Sequence, residues 1–287
     1  LLEGRGLEVS LVHPLKAKAI ASARIKSDRL DAGVLAHLLR TDLLPRAYVP
    51  PKETRERREL LRYRAFLVSR QTALKNRIHA LVDKLHLKPP CQDLFSLKGR
   101  SWLVQLALAP PYGDILASSL RVLEATQQEI ALATGQLQVQ AQEDPQALLL
   151  TSIPGVGYYL ALLILSEMGE VERFPSARHL CSYAGLVPST YASGNTLRHG
   201  SITRQGSGWL RWALTEAAIH AVRRPGPLQQ FHHRLRATKG PQVARIAAAR
   251  KLLKIIYWML KSGQPFEEVT RRWTPSRAGK LVDVVAR

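Results

Sequence analysis

The chain has 287 residues, room for about two ordinary domains, and its 46% hydrophobic content supports packed cores and excludes a disordered tail. The longest unbroken apolar run, Tyr158–Leu165, falls far short of the roughly 20 residues a membrane span needs. Cys91 and Cys181 form no CxxC pair, which excludes a disulfide scaffold and a zinc ribbon. The net charge of +20 is clustered and excludes an acidic, solvating polypeptide; with no secretory leader pattern, the expectation is a protein of a reducing compartment.

Residues 7–12 (LEVSLV) predict a short β-strand ended by His13-Pro14. A lone strand needs neighbours, so the expectation is that earlier strands of a sheet are missing from this chain. Residues 15–24, with Lys16, Lys18 and Arg24, predict a helix. Ser27 then caps a second helix running through Asp28, Leu30, Asp31, Val34, Leu35, Leu38 and Leu39. Asp28 and Asp31 stand one turn apart and project from one face, a spacing that suits Mg²⁺, with Arg24, Lys26 and Arg29 beside them for phosphate. Two carboxylates in a first turn also complement the helix dipole, and spacing alone does not choose between these readings.

Residues 53–87 predict one long helix, since Leu60, Leu67, Leu74 and Leu81 recur every seven residues and Ile78 and Leu85 extend the seam. A second stripe runs through Leu116, Leu120, Leu123, Gln127, Ile130, Thr134 and Leu137. Together they predict an antiparallel helical hairpin, or a coiled coil shared between subunits. The window Arg46–Lys88 holds 12 basic and 4 acidic residues. Such a block is the footprint of nucleic-acid binding, or else a solvated basic surface.

Beyond Pro145 the chain predicts helices and tight turns. Ile153-Pro154-Gly155-Val156-Gly157 before an apolar helix resembles the turn of a helix-hairpin-helix. Gly155 and Gly157 there would admit a phosphate to backbone N–H groups; the alternative is an ordinary turn between packed helices. Gly185–Gly194 predicts a loop or strand-edge segment. Within it Ser193 is the candidate nucleophile, with Arg198 and Arg204 close by to stabilise charge on a phosphate, although the residues alone favour a turn serine chosen for local hydrogen bonding. Basic helices follow at Trp209–Arg223 and Val243–Leu260. The window Arg198–Lys261 carries 13 basic residues against one acid, Glu216. The histidines lack metal-ligand spacing and are read as solvated or phosphate-facing, and the five tryptophans and Tyr257 are expected in the core, with one or two as alternative stacking surfaces for bases.

The segments HPLKAKAIASARIKSDRLDA (13–32) and LAHLLRTDLLPRAYVP (35–50) resemble the end of the RuvC-like DEDD domain of transposases of the insertion-sequence one-ten family. SIPGVGYYLALLILSEMGEVERFPSARHLCSYAGLVPSTYASGN (152–195), with GSITRQGSGWLRWALTEAA (200–218), resembles that family's C-terminal transposase domain. The resemblance implies a mainly α chain with a partial α/β N-terminal region. Residues 1–50 would be the end of an incomplete RuvC-like (RNase H-like) domain, 51–144 a helical hairpin or coiled coil, and 145–287 the helical transposase domain. It implies a bacterial or archaeal, cytoplasmic DNA recombinase that moves an insertion sequence through a serine–DNA link. DNA, a structured guide RNA and further copies of the chain (a dimer or tetramer) would be its partners, and Mg²⁺ or Mn²⁺ its cofactor.

By that resemblance the last two of four metal-binding acids fall on Asp28 and Asp31, and the nucleophile on Ser193, with Ser201 the weaker alternative. Glu3 and Glu8 do not sit in the motif of the first two acids, so the chain reads as an N-terminally truncated member. An inactive remnant that binds nucleic acid and oligomerises, and a junction-resolving nuclease using metal alone, are the competing readings.

Overall fold

The computed structural model describes residues 5–6, 8–20, 27–193 and 196–271. The chain divides into two compact units, Leu1–Arg55 and Glu56–Arg287. In the first unit, α1 (Pro14–Ile20) opens on a proline, whose fixed φ suits the first helical position. α2 (Asp28–Arg40) begins where the sequence predicts, with the Ser27 hydroxyl accepting from the Leu30 N–H at 3.3 Å.

The strand expected at 7–12 is not formed over its described residues. Val12 makes one isolated antiparallel bridge to Arg46, where the His13 N–H donates to the Pro45 carbonyl and the Ala47 N–H to Leu11. Alternation supplies a face but not a partner. Pro45 brings no N–H, and Pro14 turns the chain into α1, so the ladder ends after one step.

The second unit begins with the body of α3 (Lys52–Lys84), followed by α4 (Leu97–Gln105) and α5 (Tyr112–Gln142). The long helices are antiparallel. Late α3 residues Ile78 and Val82 share a buried cluster with early α5 residues Leu116 and Leu123, closed by Leu94 and Leu103. At the other end, Arg64 donates to the Thr134 hydroxyl at 2.8 Å and Arg57 pairs with Asp144 at 3.1 Å. The predicted hairpin is therefore made within one chain, and its stripe reads correctly except that Gln127 and Thr134 take arginines from Arg100 and Arg64.

The main core gathers around α7 (Tyr158–Met168), in which Ala161–Met168 are all buried. α6 (Pro145–Thr151), α8 (Ala177–Tyr183), α9 (Gly208–Ala221), α11 (Pro241–Ser262) and α12 (Phe266–Arg271) complete it, with α10 (Pro227–Lys239) laid on α11. Between α8 and α9, β1 (Pro188–Ser193) and β2 (Thr196–Ile202) form an antiparallel pair. Of the two expectations for this segment, loop or strand edge, the strand is the one found: Thr190, Tyr191 and Thr196 suit a pleated surface despite the small polar composition. Among the described residues no helix is long and apolar enough to cross a membrane.

Candidate nucleic-acid interface

The residues singled out from sequence fall in three places. Asp28 and Asp31 lie in the first turn of α2, both exposed, and no described residue engages either carboxylate. Lys16 and Lys18 are exposed on α1, whereas Arg24 and Lys26 lie outside the described residues. All belong to the first unit.

The second place is the β-hairpin. Ser193 is the last residue of β1 and pairs with Thr196, placing it at the hairpin tip beside the two-residue connection. Arg198, in β2, is opposite Tyr191; the side chains of 192–199 lie outside the described set. Ser201 sits deeper in β2, where its carbonyl accepts from the Ser189 hydroxyl at 2.9 Å. Gly200 stands beside that hydroxyl, where a Cβ would lie 2.5 Å from Ser189 Oγ.

Arg204, just past β2, is exposed and holds a left-handed φ of 54°, a conformation non-glycine residues adopt at a cost. The turn around it is stapled by Arg211 of α9, which donates to the carbonyls of Ala184 (3.2 Å) and Gly206 (3.1 Å). Burial, and then the neighbouring Arg204 charge, lower the Arg211 pKa.

The third place is the turn 152–157 ahead of α7. Gly155 has φ 81°, and a Cβ there would meet His220 Cβ at 2.1 Å, so packing against α9 alone requires glycine. Gly157 is the N-cap of α7, with open space around it.

A buried carboxylate that the sequence reading passed over ties the hairpin to these elements. Glu167 is 2% exposed. Arg62 of α3 donates to its Oε1 at 2.7 Å, and the Ser207 hydroxyl, which also caps α9, donates to Oε2 at 2.8 Å. Arg58 donates to the Ser166 carbonyl at 2.7 Å and to that of Glu167 at 3.2 Å, so cations complete the C-terminal end of α7, where carbonyls lack helical partners. The available signal was one acid inside the run LLILSEM, since a charge buried on an apolar helix demands a partner.

The aromatics divide between core and surface, with Trp273 outside the described residues. Tyr257 is buried and donates to the Phe174 carbonyl at 3.3 Å, but Trp212 is 43% exposed on α9. Its ring packs edge-on to Tyr159 and Trp209, and its outer face is left to solvent. Tyr159 is itself covered by the Arg64 guanidinium at 4.4 Å, and burial raises its pKa.

The basic block is spread over α9, α10 and α11. α10 is not among the basic helices expected from the sequence; Gly226-Pro227 opens it and Gly240-Pro241 separates it from α11. Lys251 lies 4.5 Å over the Phe231 ring, and burial, with Lys254 and Arg234 nearby, lowers its pKa to about 8.

Comparison with known proteins matches this arrangement in two blocks. The Transposase IS116/IS110/IS902 family profile matches residues 147–233, and a DEDD-type IS110 transposase profile matches residues 1–87. An uncharacterized protein of insertion element IS110 from Streptomyces coelicolor is 30% identical over 57% of this chain and 41% of its own length. The transposase for insertion sequence element IS1111A of Coxiella burnetii is 26% identical over 90% of this chain and 72% of its own. A pilin gene-inverting protein of Moraxella bovis is 36% identical over 43% of this chain and 39% of its own. The chain thus spans less than half the length of two of these three relatives. With both blocks present in order on a chain of this fold, the protein belongs to the IS110 family of transposases.

Proposed function

We propose that the chain is a DNA transposase or site-specific recombinase that breaks and rejoins a phosphodiester through a serine–DNA link. The observation that supports it is the succession, on one basic chain, of a DEDD-type block at 1–87 and a transposase block at 147–233 that encloses the Ser193 hairpin. In this reading the Ser193 oxygen bonds to phosphorus, the bond from phosphorus to a sugar oxygen breaks, and the serine proton ends on the departing sugar hydroxyl. The reverse step with a different sugar hydroxyl rejoins the strand. Bond energy is held in the protein–DNA ester, so no nucleotide triphosphate is consumed. Arg198 and Arg204 offset the charge that gathers on the phosphate oxygens.

Asp28 and Asp31 suit a divalent cation by their chemistry: two exposed, unengaged, hard oxygen donors one turn apart, as Mg²⁺ or Mn²⁺ prefers. Among the described residues no group of three or more His, Cys, Asp and Glu converges, so water and phosphate oxygens would fill the other positions. When bound, such an ion supplies charge neutralisation at the scissile phosphate. Lys16 and Lys18 of α1, with Arg24 and Lys26 preceding Ser27 in the sequence, are assigned to backbone contact, and Gly155 and Gly157 offer a further phosphate approach at the start of α7. A structured guide RNA and additional copies of the chain complete the assembly, in the cytoplasm.

The second reading, a non-catalytic binder, draws on the fact that among the described residues Asp28 and Asp31 are not joined by a third His, Cys, Asp or Glu. Incubating the full chain with DNA bearing the ends of an insertion element, with Mg²⁺, and then denaturing, separates the two. A covalent protein–DNA adduct lost in Ser193→Ala is expected. An adduct that persists in Ser193→Ala would overturn the nucleophile, and salt-sensitive binding with no adduct would leave the binder.

A further inference from the structure

An open cleft of about 430 Å³ lies between α9, α10 and α11. Ala218, Ile219, Val222 and Ala248 give it apolar walls, and its polar lining is Arg223, Gln229, His232, His233, Arg236 and Arg245. No carboxylate lines it. Arg223 follows the end of α9; His232, His233 and Arg236 share one side of α10, spaced i, i+1 and i+4; Arg245 stands one turn into α11. Three elements therefore deliver cations to one concavity.

The charge there is not offset. Among the described residues no ion pair or side-chain hydrogen bond engages Arg223, Arg236 or Arg245, and all three are exposed. His232 Nδ1 is buried without a partner, and the ring centroids of His232 and His233 are 5.8 Å apart. Burial first, and then the charges of His233, Arg236 and Arg245, lower the His232 pKa, the direction expected where cations crowd and no anion answers them. Pro241 also lines the cleft, so α11, 22 residues long, opens there with the positive end of its dipole. Cations gathered around one concavity favour an anion there. Guanidinium forks match the oxygens of a phosphate in particular.

We propose that this cleft seats a backbone phosphodiester of nucleic acid, with Arg223, Arg236 and Arg245 as its contacts and His232 and His233 as the polar floor. The proposal rests on the reading of the chain as a nucleic-acid-acting protein and is independent of the serine chemistry. It adds contacts on a part of the molecule distinct from the Ser193 hairpin and from the α2 acids.

The test is binding of the full chain to a mixed-sequence DNA duplex and, separately, to a mixed-sequence RNA, by fluorescence anisotropy over a range of salt. Each lost phosphate contact lowers the slope of log K against log salt by about 1. Alanine at Arg223, Arg236 and Arg245 together is therefore expected to lower it by about 3 and to weaken binding at least ~10-fold at moderate salt. Arg121→Ala, on the exposed side of α5, serves as the control and leaves the slope unchanged. If the triple variant fails to fold, single glutamine substitutions are read instead, each lowering the slope by about 1. A fall on DNA alone or on RNA alone identifies which backbone occupies the cleft, and unchanged slopes on both overturn the proposal. In a Ser193→Ala background the difference persists, so a failure of the nucleophile and a failure of the cleft are read separately.

Discussion

The two units of the chain are built to different depths. In Leu1–Arg55 the one buried side chain among the described residues is Leu38, while Leu30, Leu35, Leu39 and Leu43 stay exposed. In Glu56–Arg287 a continuous core runs from Leu61 through α7 to Phe266. The candidate metal ligands thus ride on a thinly packed frame. The hairpin bearing Ser193 is rooted in a dense one, through Ser207, Glu167 and the staple from Arg211. The same polypeptide presents its acids from an element held mostly by local hydrogen bonds and its basic surface from one held by apolar burial.

The largest effect expected is in the dense unit. Arg62→Met leaves Glu167 buried with only Ser207 answering its carboxylate, and should lower stability by about 3 kcal/mol in urea unfolding. Adding Glu167→Gln should restore part of the loss; a double variant no better than the single would show that the pair does not act as a unit. In the thin unit, Leu38→Ala removes its one described buried anchor and should cost that unit about 2 kcal/mol. By hydrogen exchange, α2 amides should lose protection while α11 amides keep theirs; equal loss in both would mean that the two regions unfold together.

The smallest effect concerns pH. The Lys251 pKa is depressed to about 8, so between there and its ordinary 10.5 the unfolded chain holds more protons than the folded one. Stability from this group rises as pH climbs through that interval, and the penalty is present in full below it. Lys251→Met should be more stable than the parent at pH 7, with the gap closing by pH 10. The change should be about 1 kcal/mol, because solvent screens the part-exposed ammonium. A gap that stayed constant with pH would place the burial cost elsewhere.

Much of the fold is legible in local pattern. The heptad leucines of α3, the stripe of α5 and the Ser27 cap each depend on residues within a few turns, and each is found. What was not legible depends on distant partners. LEVSLV has the alternation of a strand, but among its described residues Val12 alone bridges, to Arg46. Glu167 draws its ion pair from a residue 105 positions away. Pro227 and Pro241 are the first helical residues of α10 and α11, and the cleft that Pro241 helps to line follows from the packing of α10 on α11. Residue type and spacing place Asp28 and Asp31 on one turn and Ser193 in a loop or strand-edge segment, but they do not give the strand pairing that sets Ser193 at a hairpin tip.

Arg64 sits where the long hairpin meets the core. It grips Thr134 on α5, lies over Tyr159 on α7, and Tyr159 abuts the exposed Trp212 of α9. α3, at 33 residues, is a rod of about 50 Å, so sway at its far end acts on this junction with long leverage. The Trp212 indole therefore stands one aromatic contact away from the grip of Arg64, and its emission should shift in Arg64→Ala.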